Sequence, residues 1–126
     1  MIRAKGFTAS LTAPEAVTPS ESAVTDAQRR GLDVSVITHG DAITLEDHLV
    51  AGKYTIVDYY ADWCGPCRLL SHGIDALLVE REDIALRKVD IVSWETDAAK
   101  QVKESFKIRG IPYVRIYGPD GTFIGD

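Results

Sequence analysis

The sequence predicts a single α/β domain in which a β-sheet carries helices on both faces. Apolar, β-branched runs alternate along the chain with amphipathic helical segments, which is typical of this fold class. The length of 126 residues suffices for one core, and 45% hydrophobic with 26% charged residues matches an ordinary globular domain. The predicted order of elements is β-α-β-α-β-α-β-β.

Residues 1–31 are predicted to be a flexible polar arm, and residues 32–126 to be the folded domain. Thr8–Gln28 is rich in Thr, Ala, Ser and Pro and has few large apolar residues. Its pattern permits only a weak helical turn over Glu21–Arg30. The arm lacks the apolar core of a secretory signal, so we expect a cytoplasmic protein. The alternative is a periplasmic or secreted protein whose signal has been removed.

The domain begins with two predicted strands that enclose a short helix. Val34–Thr38 is rich in β-branched residues and precedes a turn at His39–Asp41. Thr44 is a candidate helix N-cap, and Gly52 stands where that helix would end. Tyr54–Tyr60 is β-branched and aromatic with little polar interruption, which predicts a central strand covered on both faces.

Two further helices and three further strands are predicted to complete the domain. The helix after the second cysteine has apolar residues at helical spacing, namely Leu70, Ile74, Leu77 and Leu78. Ala98, Val102 and Phe106 recur every four residues and predict a third helix, with Ser93 or Thr96 near its start. The predicted strands are Ile84–Ile91, Pro112–Tyr117 and Thr122–Gly125.

Composition excludes several classes of function. A net charge of −5 does not attract a phosphate backbone, so nucleic acid is not an expected partner. No apolar run approaches the roughly 20 residues of a membrane-spanning helix. Two cysteines are too few for a disulfide-rich scaffold or a four-thiolate zinc site.

Cys64 and Cys67 stand where the predicted central strand gives way to a helix. The first turn of a helix has unpaired backbone N–H groups and a partial positive charge, which favour a thiolate placed there. Cys64 occupies that position, and Cys67 lies about one turn inside the helix. Pro66 fits the first turn, where its missing N–H costs nothing. The pair can therefore cycle between dithiol and disulfide with little backbone movement.

Other uses of the two cysteines fit the sequence less well. A zinc site would need ligands from His39, His48 or His72 in addition to the pair. Attachment of c-type haem requires a histidine directly after the second cysteine, where Arg68 stands. Inert buried cysteines would not require the segment Trp-Cys-Gly-Pro-Cys at a strand-to-helix turn. The pattern therefore favours a redox-active dithiol.

The segment Trp63–Cys67 resembles the active-site motif of the thioredoxin family. The similarity extends to Asp58 on the preceding strand, Lys88 on the next strand, and Arg109–Pro112 before the fourth strand. It covers roughly Val34–Gly125. The resemblance implies a thioredoxin fold, with a mixed central sheet in the strand order 1-3-2-4-5 and helices on both faces.

The resemblance also implies catalytic roles for four residues. Cys64 would attack a substrate disulfide, and Cys67 would resolve the mixed disulfide that results. Asp58 would accept the proton of Cys67 through water, and Lys88 would pair with this carboxylate. The alternatives are a solvated Asp58 at a strand edge and an ordinary surface Lys88. No bound cofactor or metal is expected besides the redox-active pair itself.

Substrate contacts are implied by the same resemblance. Pro112 matches the family's cis-proline beside the active site, and the backbone of Ile111 would pair with an extended substrate segment. Trp63 would lie over the rim of the site, although a place in the core is its alternative. Gly65 and Pro66 complete the expected substrate-binding surface.

Three features depart from the family pattern. His72, followed by Gly73, stands where a proline usually kinks the long helix, so we expect a milder kink or one made by glycine. Tyr113 follows Pro112 where threonine is common, which we expect to alter substrate contacts. The chain stops at Asp126, so the family's glycine loop and C-terminal helix are absent from it. A truncated sequence is the expected explanation. The alternative is that residues 1–31 take the place of these missing elements.

The expected function is the reduction of protein disulfides, with a thioredoxin reductase or a membrane thiol reductase as electron donor. A periplasmic thiol–disulfide relay is a second hypothesis, because Tyr60–Cys64 also resembles the domains that pass electrons from membrane thiol reductases. A non-catalytic binding module with the same fold is a third. The protein is expected to be a monomer whose partners are disulfide-containing proteins.

Overall fold

The computed structural model describes residues 31–126, which form one five-stranded sheet and two α-helices. The strands are β1 (Val34–His39), β2 (Tyr54–Tyr60), β3 (Ile84–Asp90), β4 (Tyr113–Tyr117) and β5 (Phe123–Gly125). The helices are α1 (Gly65–Glu80) and α2 (Asp97–Phe106). The predicted arm, with the weak turn over Glu21–Arg30, lies outside the described residues except for Gly31.

The strand order is β1-β3-β2-β4-β5, which confirms the predicted mixed sheet. Strands β1 and β2 both run parallel to β3, whereas β4 is antiparallel to β2 and β5 is antiparallel to β4. Strand β2 therefore lies at the centre of the sheet. Its end, near Tyr60, leads directly into the cysteine motif at the start of α1.

The two α-helices cover opposite faces of the sheet. Successive strand residues point to opposite faces, so neighbours in β2 enter different halves of the core. Ile56 belongs to the cluster that contains Ile74 and Leu78 of α1. Val57 belongs to the cluster that contains Ala99 and Val102 of α2. The expectation of helices on both faces is thereby confirmed.

The first predicted helix is wrong in type and length. Only a 3-10 turn forms, over Leu45–His48, and Thr44 precedes it without a side-chain capping hydrogen bond. The backbone N–H of Val50 donates to the Thr55 hydroxyl at 3.0 Å, which ties this segment to β2 instead of continuing a helix. Gly52 has a φ of 86° in the turn before β2, so it ends no helix.

The buried side of α1 differs from the predicted stripe. Ile74 and Leu78 are buried as expected, but Leu77 is 36% exposed. The remaining buried positions of α1 are Cys67, Ser71 and Asp75. The helix runs without interruption through His72 and Gly73, where the family usually has proline. The buried face of α1 thus includes two polar side chains, Ser71 and Asp75, in addition to the apolar ones that the sequence predicts.

Helix α2 begins as the sequence predicts. The Thr96 hydroxyl accepts the backbone N–H of Ala99 at 3.1 Å, so Thr96, rather than Ser93, is the N-cap. The helix ends at Phe106, and Lys107, its C-cap, has a φ of 60°. No helix in the described part of the chain is both long and apolar enough to cross a membrane.

Candidate active site

Cys64 and Cys67 form a disulfide at the N-terminus of α1. Cys64 is the N-cap, with Gly65 and Pro66 as the first two helical residues. The backbone N–H of Cys67 donates to Cys64 Sγ at 3.2 Å. Because this donor and the positive end of the helix both face Cys64 Sγ, a negative charge on that sulfur is stabilised in the reduced pair.

Both cysteines are largely buried, the first slightly less than the second. Cys64 is 5% exposed and Cys67 is 1% exposed. Pro66 is exposed and Gly65 is partly exposed beside it. An attacking group from outside therefore meets Cys64 first.

The segment before β4 lies against the first sulfur. Cys64 Sγ is 3.8 Å from the carbonyl oxygen of Ile111. The Ile111–Pro112 peptide bond is cis, as the family resemblance implies. Both residues are partly exposed, so their backbone is accessible at the surface beside the disulfide. The topology thus brings together residues 64 and 111, which are 47 positions apart in the chain.

Trp63 lies at the surface next to the cysteines. Its side chain is 55% exposed, which excludes the alternative of a core aromatic. Its indole N–H donates to the carbonyl of Val92 at 2.6 Å. Val92 has a φ of 66° and its own N–H donates to Asp90 Oδ1 at 2.9 Å. The loop after β3 therefore holds the indole in place.

Asp58 and Lys88 form a fully buried pair beneath α1. They are directly opposite each other in the parallel pairing of β2 with β3. Neither side chain is exposed, so the alternatives of a solvated Asp58 and a surface Lys88 are wrong. Lys88 Nζ lies 3.5 Å from Asp58 Oδ2, and no donor of the described residues is hydrogen-bonded to either carboxylate oxygen.

The pKa of Asp58 is raised above its ordinary value. Burial is the main cause, because a charged carboxylate loses its hydration inside the protein. The Lys88 ammonium favours the charged form and opposes part of this effect. A proton-accepting group of increased basicity thus lies inside the domain at neutral pH.

Ser71 is a member of this buried site that sequence reasoning missed. Its side chain is fully buried, and its Oγ accepts a hydrogen bond from Lys88 Nζ at 2.9 Å. Lys88 Nζ also lies 4.5 Å from the centroid of the Tyr60 ring. The available signal was spacing, since Ser71 follows Cys67 by four residues and therefore shares its face of α1.

Tyr113 differs from the expectation that it alters substrate contacts. Its side chain is buried, and its ring packs against Tyr59 and Phe106. Its hydroxyl accepts a hydrogen bond from Arg115 Nη1 at 2.8 Å. The ring therefore belongs to the core beneath α2, and it is not presented to a substrate.

The potential metal ligands of the described residues are not grouped into a metal site. Within residues 31–126, no cluster of three or more His, Cys, Asp and Glu side chains is arranged to hold a metal ion. The Nδ1–H of His39 donates to Asp90 Oδ2 at 2.8 Å, so this histidine is paired with a carboxylate and not with the cysteines. The predicted site residues that come together are thus Cys64, Cys67 and Ile111 around the disulfide, and Asp58 and Lys88 in the interior.

Comparisons with known proteins point to one family. A rice (Oryza sativa subsp. indica) thioredoxin-like protein CITRX, chloroplastic, is 40% identical over 65 residues, which are 52% of this chain and 32% of that protein. The chain thus spans about a third of the length of this curated relative. A thioredoxin of Mycoplasmoides gallisepticum is 35% identical over 77 residues, which are 61% of this chain and 71% of that protein.

A solved structure and a family model agree with these sequence matches. A thioredoxin variant from Halobacterium salinarum superimposes with a TM-score of 0.51 at 27% identity, covering 67% of this chain and 70% of that one. The thioredoxin family model matches residues 37–124, which include the disulfide and the cis-proline. The chain therefore belongs to the thioredoxin family.

Proposed function

We propose that this protein is a thiol–disulfide oxidoreductase that reduces disulfides in other proteins. The Cys64 thiolate attacks one sulfur of the substrate disulfide, whose S–S bond breaks, and the other substrate sulfur leaves as a thiolate. Cys67 then attacks Cys64 Sγ and releases the second substrate sulfur. Two electrons pass to the substrate, and the Cys64–Cys67 disulfide remains. The observation that carries this proposal is the disulfide at the N-terminus of α1, in which Cys64 is the N-cap and Cys67 lies inside the first turn.

Asp58 is the proposed proton acceptor for the resolving step. Cys67 must lose its proton before its sulfur can attack the mixed disulfide. The raised pKa of Asp58 supports this role, because a general base is most effective when its pKa lies near the working pH. Cys67 is buried on the same face of α1 that covers Asp58 and Lys88, and a water molecule can relay the proton between them.

The proposed substrate-binding surface surrounds Cys64. Trp63, Gly65 and Pro66 are its neighbours in the chain, and the Ile111 carbonyl, next to Pro112, lies 3.8 Å from the sulfur. The backbone of Ile111 would pair with an extended substrate segment and align its disulfide with Cys64 Sγ. Disulfide-containing proteins are therefore the proposed substrates of the protein acting as a monomer.

The oxidised pair must receive two electrons before the next cycle. We propose a thioredoxin reductase as the donor if the protein works in the cytoplasm, and a membrane thiol reductase if it works as a relay in the periplasm. The gene sequence upstream of the first codon distinguishes these settings. A signal peptide there supports the relay, and its absence supports the cytoplasmic reductase.

Insulin reduction with dithiothreitol as the electron source tests the proposed function. We expect the full chain to accelerate the precipitation of insulin B chains well above the rate with dithiothreitol alone. The matched control is the reduced chain after alkylation of both thiols with iodoacetamide, which should give only the background rate. Equal rates for the untreated and alkylated chains would support a non-catalytic binding module instead.

The two thiols of the reduced protein should react at different rates. We expect Cys64 to be alkylated about tenfold or more faster than Cys67 at pH 7, because the helix N-terminus and the N–H of Cys67 stabilise its thiolate and Cys67 is the more deeply buried. Iodoacetamide labelling at a series of pH values, followed by peptide mass spectrometry, measures both rates. Equal rates at every pH would contradict the assignment of Cys64 as the attacking thiolate.

A further inference from the structure

The Lys88 ammonium is held by three neighbours inside the domain. It donates to Ser71 Oγ at 2.9 Å, lies 3.5 Å from Asp58 Oδ2, and lies 4.5 Å from the centroid of the Tyr60 ring. Lys88 is fully buried, so bulk solvent does not supply acceptors for its three N–H groups. The positions of these neighbours therefore decide where the positive charge is placed.

Charge alone would place this ammonium closer to the carboxylate of Asp58 than to the hydroxyl of Ser71, but the observed distances have the opposite order. Charge-assisted hydrogen bonds between an ammonium and a carboxylate are typically 2.7–2.9 Å long. Here the short contact goes to the neutral Ser71 hydroxyl, and the carboxylate of Asp58 is the more distant group. Ser71 lies on α1, whereas Asp58 and Lys88 lie on adjacent strands, so the helix provides the competing acceptor.

We propose that Ser71 is a positioning residue of the active site. By accepting the short hydrogen bond of Lys88, its hydroxyl keeps the ammonium near Asp58 and stops it from forming a direct hydrogen bond with the carboxylate. The carboxylate oxygens thus stay available to accept the proton of Cys67, one helical turn from Ser71 along α1. This inference rests on the proposed function of Asp58 as the proton acceptor.

The three elements that form this buried site carry further ionisable groups. Tyr60 on β2 lies with its ring centroid 4.5 Å from the ammonium. Asp90 on β3, and Cys67 and Asp75 on α1, are buried side chains of the same elements. The strands on either side contribute apolar residues at the same register positions, with Val36 beside Lys88 and Val114 beside Asp58. The titration of Asp58 must therefore be assigned by a signal from its own carboxyl group.

The test compares Ser71→Ala with the wild-type chain. Without the hydroxyl, the ammonium loses its short acceptor, and we expect it to move into direct contact with Asp58. The pKa of Asp58 should then fall, and the resolving step should slow about threefold to tenfold at pH 7, because the carboxylate becomes a weaker base. The pKa is measured from the pH dependence of the Asp58 carboxyl carbon signal in NMR, and the rate from a single turnover with a small disulfide.

Three control variants separate positioning from a merely structural role. Ser71→Thr retains the hydroxyl and should restore both the pKa of Asp58 and the rate. Ser105→Ala removes an exposed hydroxyl from α2 and should change neither. In a Lys88→Met background, the further change Ser71→Ala should leave the pKa of Asp58 where it was, since no ammonium remains to be moved.

The two measurements distinguish the inference from the function on which it rests. An unchanged or increased pKa of Asp58 in Ser71→Ala would overturn the positioning role, even if the variant reduced insulin normally. A decreased pKa with an unchanged rate of the resolving step would show that Ser71 places the ammonium but that Asp58 is not the proton acceptor. That second outcome also overturns the inference, because the inference includes the transfer of the Cys67 proton to Asp58.

Discussion

Replacement of Cys64 by serine should lower disulfide reduction by about three orders of magnitude or more, because a hydroxyl is not ionised at neutral pH and cannot replace a thiolate nucleophile. Cys67→Ser should have a different effect. Its Cys64 thiolate still attacks, but nothing resolves the product, so a covalent complex with the substrate should accumulate. Insulin reduction measures the first effect, and non-reducing electrophoresis with intact-mass analysis measures the second.

The two variants are matched controls for each other. Both remove the Cys64–Cys67 disulfide, so a general loss of stability would affect them alike. Only the different positions of the two sulfurs, at the N-cap and inside the first turn of α1, predict different products. If Cys64→Ser formed the covalent complex and Cys67→Ser did not, the assigned roles would be reversed.

Asp58→Asn should stabilise the protein at neutral pH and slow its turnover. The folded pKa of Asp58 is raised by burial, so the folded state binds a proton more tightly than the unfolded state. The wild-type free energy of unfolding therefore decreases as the pH rises from the unfolded pKa to the folded pKa. The amide resembles the protonated carboxyl, and it should recover about 1–3 kcal/mol above this range.

Urea unfolding at several pH values measures this stabilisation. We expect the two proteins to differ at pH 7 and to converge at pH values below the unfolded pKa of aspartate, where the wild-type carboxyl is protonated in both states. Asp47→Asn, at an exposed aspartate, is the control for the loss of one negative charge. A stabilised Asp58→Asn with unchanged turnover would limit Asp58 to a structural role.

Local patterns predicted the strands more reliably than the first helix. Strand β2 has the predicted bounds, because six of its seven residues are β-branched or aromatic and favour a strand. The predicted helix near Thr44 rested on one short apolar face, and the contact of Val50 with Thr55 overrode it. That contact joins a loop to a strand, and no periodic pattern encodes it.

The site shows the same division between local and distant contacts. The placement of Cys64, Pro66 and Cys67 at a helix start is local, so the sequence could predict it. The burial of Lys88 could not be decided from its neighbours in the chain, because a lone lysine in a strand is ordinarily exposed. Its hydrogen bond to Ser71 joins β3 to α1, 17 residues apart, and it depends on how the helix is rotated on the sheet.

A single-turnover stoichiometry tests the central claim most directly. The fully reduced chain is mixed with excess oxidised insulin in the absence of any other reductant, quenched with acid at increasing times, and analysed by intact mass and peptide mapping. We predict one substrate disulfide reduced per chain, with a Cys64–Cys67 disulfide as the final state of the protein. A chain that kept both thiols reduced, or that ended as a stable mixed disulfide, would contradict the proposed cycle.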